Sequence, residues 1–163
     1  IGTGSGCIAI SLAKQSKASL SALDISKEAL EVARDNAKNN EVAIDFIHED
    51  ILQKPALHQT FDVIVSNPPY LLESDKKLMH KNVLNHEPHT ALFVLDKEAL
   101  VFYNSITDFA KNHLNENGKL FFEIHENKGE ELLQILQKKG FSKLELRKDM
   151  QGKDRMVKAV WKM

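Results

Sequence analysis

Strand-like and helix-like hydrophobic patterns alternate along most of the chain. Ser26 is placed to cap the second helical segment, and Gly140 is placed to end the last one. A turn at Asn117-Gly118 leads into a strand that begins at Lys119. The pattern predicts helices at 7–15, 27–39, 99–113 and 129–139, and strands at 21–25, 43–47, 61–66 and 119–124.

The carboxyl-terminal segment has a different pattern. Residues 144–147 and 156–161 are both rich in β-forming side chains, and no helical pattern separates them. We therefore predict an antiparallel hairpin. Strand–helix–strand units followed by a hairpin predict an α/β fold whose sheet is mostly parallel with an antiparallel edge. The one long irregular stretch, 68–95, is predicted to be a functional loop.

Composition and charge place the chain among soluble single domains. It has 163 residues, 42% of them hydrophobic and 28% charged, and no apolar run long enough to span a membrane. With 22 basic and 23 acidic residues the net charge is -1, which gives no support to direct binding of nucleic acid. The single cysteine, Cys7, predicts a reducing cytoplasm and is interpreted as a small buried residue.

The chain begins with a glycine loop, residues 1–6 (IGTGSG). Gly2, Gly4 and Gly6 allow sharp turns and close approach of a ligand, and the helix that follows offers free N–H groups. The dinucleotide pattern G-x-G-x-x-G is not met, and no Gly-Lys-Ser/Thr of a triphosphate loop follows. Because no strand precedes this loop, we interpret the chain as a fragment of a longer natural protein.

Two acidic residues follow the next predicted strands. Asp24 lies 18 residues after Gly6 at a strand end, where a carboxylate can accept hydrogen bonds from both hydroxyls of a ribose. Its alternative role is to cap the helix that begins at Lys27, although Ser26 is better placed for that. Asp50 follows the next strand, and two roles are compatible with that position: contact with an adenine or formation of a turn.

The residues Asn67-Pro68-Pro69-Tyr70 directly follow the strand 61–66 and so project from the carboxyl edge of the sheet. A planar nitrogen is a poor nucleophile because its lone pair is delocalised. The side-chain oxygen of Asn67 and the carbonyl of Pro68 can accept hydrogen bonds from the two N–H groups of such a nitrogen. These hydrogen bonds favour the pyramidal geometry that frees the lone pair. Tyr70 can stack on the planar group. The motif predicts methyl transfer to an amide or amino nitrogen, mainly by positioning.

These residues together resemble the peptide-chain release factor glutamine methyltransferases of bacteria. The resemblance covers essentially the whole chain. The glycine loop and NPPY are shared by many amino methyltransferases, while the Glu87-Pro88 segment and the final hairpin narrow the choice. It rests on residues 1–10 (IGTGSGCIAI), Asp24, 67–70 (NPPY), 87–92 (EPHTAL), 102–103 (FY) and 149–158 (DMQGKDRMVK).

The resemblance implies a seven-stranded class I methyltransferase fold. Residues 1–163 are expected to form its catalytic domain, without the first strand and without the helical domain that precedes it in the family. It implies S-adenosylmethionine as donor, S-adenosylhomocysteine as product, no metal, and the glutamine of the Gly-Gly-Gln motif in release factors as substrate. The implied cofactor contacts are Gly2, Thr3, Gly4, Gly6, Asp24, Ile25, Asp50, Ile51 and Asn67. The implied catalytic and substrate contacts are Asn67, Pro68, Pro69, Tyr70, Glu87 and Pro88.

Other functions stay open on the residues alone. A glutamine methyltransferase of a ribosomal protein would use the same site. An adenine amino (N6) methyltransferase on DNA or RNA would also use it, but predicts a basic face or a recognition domain. The intact motif at 67–70 argues against a non-catalytic binding module, which has no need of those residues. His86 and His89 could be metal ligands by type, but their spacing supports no metal site.

Overall fold

The computed structural model describes residues 1–69, 71–72, 93–94 and 100–162. The chain divides into two compact units, Ile1–Ala56 and Leu57–Met163. No helix in the described part of the chain is long and apolar enough to cross a membrane.

The first unit is built on a pair of parallel strands. Strand β1 pairs with β2 so that Asp24 lies opposite His48 and both strands end at one edge. Helix α2 buries Leu30 and Ala33 on one face, and its N-cap is Ser26, whose Oγ accepts from the Ala29 N–H at 3.0 Å. The elements are α1 (Cys7–Gln15), β1 (Ser21–Asp24), α2 (Lys27–Asn39), β2 (Asp45–His48) and a short 3-10 helix (Ile51–Gln53).

The second unit is built on a mixed four-stranded sheet. The strands lie in the order β3-β6-β8-β7, with β3 parallel to β6 and the last two antiparallel to their neighbours. A separate parallel pair joins β4 to β5. The elements are β3 (Phe61–Ser66), β4 (Leu71–Leu72), β5 (Phe93–Val94), α3 (Val101–His113), β6 (Leu114–Glu123), α4 (Gly129–Lys138), β7 (Phe141–Lys148) and β8 (Asp154–Trp161).

The core of the second unit lies between its sheet and helices α3 and α4. Tyr103 of α3 is fully buried and packs edge-on against Phe122 of β6, with ring centroids 5.2 Å apart. Its hydroxyl donates to the Glu123 carbonyl at 3.2 Å, so the buried ring keeps its polar group satisfied. The other fully buried side chains of these elements include Ile106, Leu120, Leu132 and Leu136.

His113 is also buried, at the end of α3. Its Nδ1 lies 2.9 Å from the Phe109 carbonyl, while its Nε2 accepts from the Leu57 N–H at 3.1 Å. A nitrogen that accepts cannot carry a proton, so the hydrogen of the neutral ring is on Nδ1. This histidine therefore fixes the first residue of the second unit to the helix end.

The predicted α/β fold with an antiparallel carboxyl-terminal hairpin is confirmed. Helices 7–15 and 27–39 and strand 61–66 have the predicted bounds. The fourth main strand was predicted to begin at Lys119, but β6 begins at Leu114. The predicted turn at Asn117-Gly118 lies inside β6, where Asn117 is left-handed (φ 61) and the pairing shifts from Phe61–Leu114 to Val63–Lys119. The left-handed residue makes an irregularity within the strand rather than ending it.

We predict different costs for two valine substitutions in the four-stranded sheet. Val157 is 1% exposed and Val63 is 48% exposed. Val157→Ala removes buried methyl groups and should lower the free energy of unfolding by about 2 kcal/mol. Val63→Ala loses the same strand propensity but leaves no cavity. A urea titration should therefore show Val157→Ala to be destabilised by at least about 1 kcal/mol more than Val63→Ala; equal costs would contradict this packing.

Candidate functional site

The glycine loop of the first unit has the backbone conformation that glycine allows. Gly2, Gly4 and Gly6 have φ of 68, 54 and 85°, a region that side chains make costly. A Cβ at Gly2 or Gly4 would meet nothing within 4 Å, whereas one at Gly6 would lie 3.1 Å from the Ala33 Cβ. The first two glycines therefore line open space, and Gly6 also allows α1 to approach α2.

The loop is tied to the end of β1 by backbone and carboxylate hydrogen bonds. The N–H groups of Gly2 and Thr3 donate to the Leu23 carbonyl at 2.8 and 3.1 Å. The Gly4 N–H donates to Asp24 Oδ2 at 2.8 Å. Since the Ser26 N–H donates to Asp24 Oδ1 at 3.0 Å, one carboxylate holds the loop on one side and the following turn on the other.

Asp24 keeps the capacity for a ligand that it was predicted to have. An ionised carboxylate offers about four acceptor sites, and two are used by these backbone donors. The helix-capping alternative belongs to Ser26, whose hydroxyl accepts from Ala29. Binding of two ribose hydroxyls by Asp24 stays a prediction. The hydrogen bond from the Gly4 N–H to Asp24 was not predicted from the sequence.

Ile25 is the apolar member of this edge. It is 62% exposed directly beside Asp24, so an apolar surface lies next to the carboxylate. Its carbonyl lies 2.8 Å from His48 Nε2, so that nitrogen carries the hydrogen and donates. His48 was not among the predicted site residues, because its role follows from its register opposite Asp24 and no sequence spacing reveals it.

Asp50 forms the turn that was one of its two predicted roles. Its Oδ1 accepts from the Leu52 N–H at 2.9 Å and so caps the 3-10 helix. Ile51 is buried, while Leu52 beside it is partly exposed. Contact of Asp50 or Ile51 with an adenine stays a prediction.

In the second unit, Asn67 follows the last residue of β3 directly. Ser66 before it and Pro68 after it are buried, Pro69 is half-buried, and Asn67 itself is exposed. Ser66 lies opposite Phe122, so Asn67 leaves the sheet where the parallel strand β6 also ends. Asn67 is therefore an exposed residue between two buried ones. Tyr70, Glu87 and Pro88 lie outside the described residues.

The end of β6 beside Asn67 is held from two sides. The Tyr103 hydroxyl donates to the Glu123 carbonyl at 3.2 Å, and Arg155 of β8 donates from Nη1 to the Ile124 carbonyl at 3.2 Å. Tyr103 belongs to the motif that carried the resemblance, but its contribution is to fix this strand end. Arg155 was not predicted as a site residue.

Two smaller predictions can be compared with the structure. Cys7 was predicted to be buried, and this was wrong: the side chain is exposed at the start of α1, with its Sγ 3.3 Å from Ser5 Oγ. The prediction rested on residue type, whereas α1 leaves its larger apolar residues Ile8 and Leu12 exposed as well. Among the described residues no group of three or more His, Cys, Asp or Glu could hold a metal. His86 and His89 lie outside that part of the chain.

Comparisons with known proteins show that the chain is similar to methyltransferases. The family described as methyltransferase small domain matches residues 1–92. The release factor glutamine methyltransferase of Flavobacterium psychrophilum is 54% identical over 159 residues, covering 97% of this chain and 56% of that protein. The enzyme of the same name from Lactococcus lactis is 45% identical, with 96% and 58% covered. The chain thus spans somewhat over half the length of these curated relatives.

Solved structures confirm the fold. The ribosomal protein L11 methylase from Lactobacillus delbrueckii subsp. bulgaricus aligns over 99% of this chain and 67% of its own, with a TM-score of 0.69. Since the identity is 23%, the likeness shows the fold and nothing about the substrate. The predicted class I methyltransferase architecture, mostly parallel with antiparallel strands, is therefore confirmed.

We predict that Asp24 and Asp50 hold different parts of the backbone. Asp24→Ala removes the acceptor of the Gly4 and Ser26 N–H groups, and each lost hydrogen bond of about 1 kcal/mol should speed amide exchange roughly five- to ten-fold. Asp50→Ala is the matched control, because it removes the acceptor of Leu52 alone. Hydrogen exchange resolved to single amides measures both. Unchanged exchange of Gly4 and Ser26 in Asp24→Ala would contradict the assigned role.

Proposed function

The chain belongs to the methyltransferase small domain family, and we propose that the protein methylates release factors. The reaction transfers a methyl group from S-adenosylmethionine to the side-chain amide nitrogen of the glutamine in the Gly-Gly-Gln motif. Residues 1–163 act as its catalytic domain. The choice of glutamine is supported by relatives at 54% and 45% identity that are named release factor glutamine methyltransferases.

The observation that carries the chemistry is the presentation of Asn67. An exposed amide between the buried Ser66 and Pro68 offers a fixed acceptor at the end of a strand. With the Pro68 carbonyl as second acceptor, the two N–H bonds of a substrate amide are both engaged. This arrangement favours a pyramidal nitrogen and so increases its nucleophilicity. No strong general base is needed, because the nitrogen can lose its proton after the methyl group arrives.

The residues of the glycine loop fit S-adenosylmethionine. Gly2 and Gly4 leave open space where a side chain would stand, Asp24 has acceptor sites for a diol, and Ile25 presents an apolar surface for a purine. When bound, the cofactor supplies an electrophilic methyl group on a sulfonium. The loop and Asp24 would hold it, with Thr3, Gly6, Asp50, Ile51 and Asn67 as further predicted contacts. Tyr70, Pro69, Glu87 and Pro88 remain the other proposed contacts of the substrate.

The protein partner and the setting are part of the proposal. A release factor is the protein substrate, and a net charge of -1 offers no general attraction for nucleic acid. We place the reaction in the cytoplasm, since the single cysteine, Cys7, is a free thiol.

We predict transfer of labelled methyl from S-adenosylmethionine to an intact release factor. Gln→Ala in the Gly-Gly-Gln motif of that factor should abolish labelling, because it removes the accepting nitrogen. Labelling is measured by isolating the factor and counting incorporated methyl. Labelling that persists in the Gln→Ala factor, or appears instead in nucleic acid or a ribosomal protein, would contradict the proposal.

Substitution of Asn67 and of Asp24 should separate catalysis from cofactor binding. We expect Asn67→Ala to lower kcat about 100-fold, as loss of one transition-state hydrogen bond does elsewhere, with little change in affinity for S-adenosylhomocysteine. We expect Asp24→Ala to weaken that affinity about ten-fold or more, because hydrogen bonds to a charged group are lost. Calorimetry measures the affinity and steady-state kinetics measure kcat. Near-normal kcat in Asn67→Ala would contradict the two-acceptor mechanism.

A further inference from the structure

The turn of the carboxyl-terminal hairpin lies at the sheet edge from which Asn67 projects. Strand β6 is parallel to β3, β8 is antiparallel to β6, and β7 is antiparallel to β8. The end of β7, the start of β8 and the end of β3 are therefore at one edge. We call residues 149–153, which connect β7 to β8, the hairpin tip.

A large apolar side chain is fully exposed on this tip. Met150 is 106% exposed, the highest value among the exposed large hydrophobic residues of the described chain. Met156, the third residue of β8, is 43% exposed close to the same edge. Exposed methionines are overrepresented on protein-binding surfaces, because the flexible thioether adapts to an irregular partner.

The tip is rigid despite its exposure. Asp149 Oδ1 accepts from the N–H groups of Gln151 and Lys153 at 2.9 and 3.0 Å, and Asp149 Oδ2 accepts from Arg155 Nε at 3.3 Å. These hydrogen bonds hold the pKa of the Asp149 carboxyl below its ordinary value. The largest effect comes from the Lys153 N–H, and smaller ones come from Gln151 and Arg155. The carboxylate thus stays ionised and keeps these bonds near neutral pH.

Arg155 extends this brace to the neighbouring strand. Its Nη1 donates to the Ile124 carbonyl at 3.2 Å, and the Ile124 N–H donates to the Arg155 carbonyl at 2.9 Å. The tip is therefore connected through one side chain to the end of β6, next to Asn67. A loop held in this way loses little conformational entropy when its apolar side chain is bound.

The charges around the tip favour a protein partner over a nucleic acid. Each of the four basic residues from 147 to 155 has a carboxylate within 4.0 Å, which leaves no concentrated positive charge for phosphates. The pairs are Arg147–Glu145, Lys148–Asp154, Lys153–Glu126 and Arg155–Asp149.

The distance from Asn67 to the tip suits a folded substrate. Neighbouring strands lie about 4.8 Å apart, so β8 and β7 are roughly 10 and 14 Å from β3 across the sheet. Met150 is therefore within reach, at a few residue lengths, of a protein whose glutamine lies at Asn67, since an extended chain covers about 3.3 Å per residue.

We propose that the hairpin tip, through Met150, is a docking contact for the protein that carries the substrate glutamine. This inference rests on the proposed function. The tip contributes affinity for the intact protein substrate by burying Met150 against an apolar patch of that protein, and it takes no part in the methyl transfer step.

The test compares KM with kcat for an intact release factor. Met150→Ala should raise KM about five-fold or more with kcat unchanged, as expected for loss of one well-buried contact. Met150→Leu should restore most of the affinity. Asp149→Ala should raise KM in the same direction, because it releases the brace while Met150 remains. Thermal unfolding of each variant checks that the fold is intact.

Leu12→Ala on α1 is the matched control, since it removes an exposed apolar side chain from the other unit. It should leave KM unchanged. The proposal is overturned if KM for Met150→Ala stays within two-fold of the original protein, or if kcat falls while KM does not. A KM effect seen in Lys148→Ala but not in Met150→Ala would indicate an acidic partner such as RNA and would also overturn it. Absence of any methyl transfer by the original protein would contradict the proposed function instead.

Discussion

The parallel pairing of β3 with β6 decides which residues can act together in the second unit. Its register places Ser66 opposite Phe122, so Asn67 and the carbonyls of Glu123 and Ile124 leave the sheet at one edge. The antiparallel return of β8 brings Arg155 to that same edge, where it bonds the Ile124 carbonyl. If β3 and β6 were antiparallel, the end of β6 would lie at the far edge and Asn67 would have no braced neighbour.

The same constraint acts separately in the first unit, where β1 and β2 end together. Asp24 and His48 are partners in that register, and both bond the backbone around Ile25. A carboxylate suits the position of Asp24 because two backbone donors leave half of its acceptor sites open. An asparagine would have a single oxygen for the Gly4 and Ser26 donors, with less capacity for a diol.

Periodicity was sufficient to predict most of the helices and strands. Helix α2 was predicted residue for residue because its apolar face and its Ser26 cap are both local signals. Asn67 was proposed as a site residue because two prolines after a buried strand are distinctive. What depends on register was not predicted: His48 and Arg155 act on carbonyls 23 and 31 residues away in the sequence.

The errors also have local physical causes. The start of β6 was missed because Asn117-Gly118 usually ends a strand, whereas here the left-handed Asn117 is accommodated as an irregularity in the pairing with β3. Cys7 was expected to be buried from residue type alone, but α1 buries Ile10 and leaves even Ile8 and Leu12 exposed. Residue type is a weaker guide to burial than position in the element.

The burial pattern around Asn67 would allow a short segment to carry the proposed chemistry. A residue in a free loop must be ordered when substrate binds, at about 1–2 kcal/mol for its backbone. Asn67 lies between the buried Ser66 and the buried Pro68, so its backbone is already ordered by folding. Proline at 68 also restricts Asn67 to extended conformations, and because Pro68 and Pro69 have no N–H, their backbone offers acceptors and no donors. In the proposed reaction, binding energy of the substrate is then available for changing the geometry of its nitrogen, which methyl transfer to an amide requires.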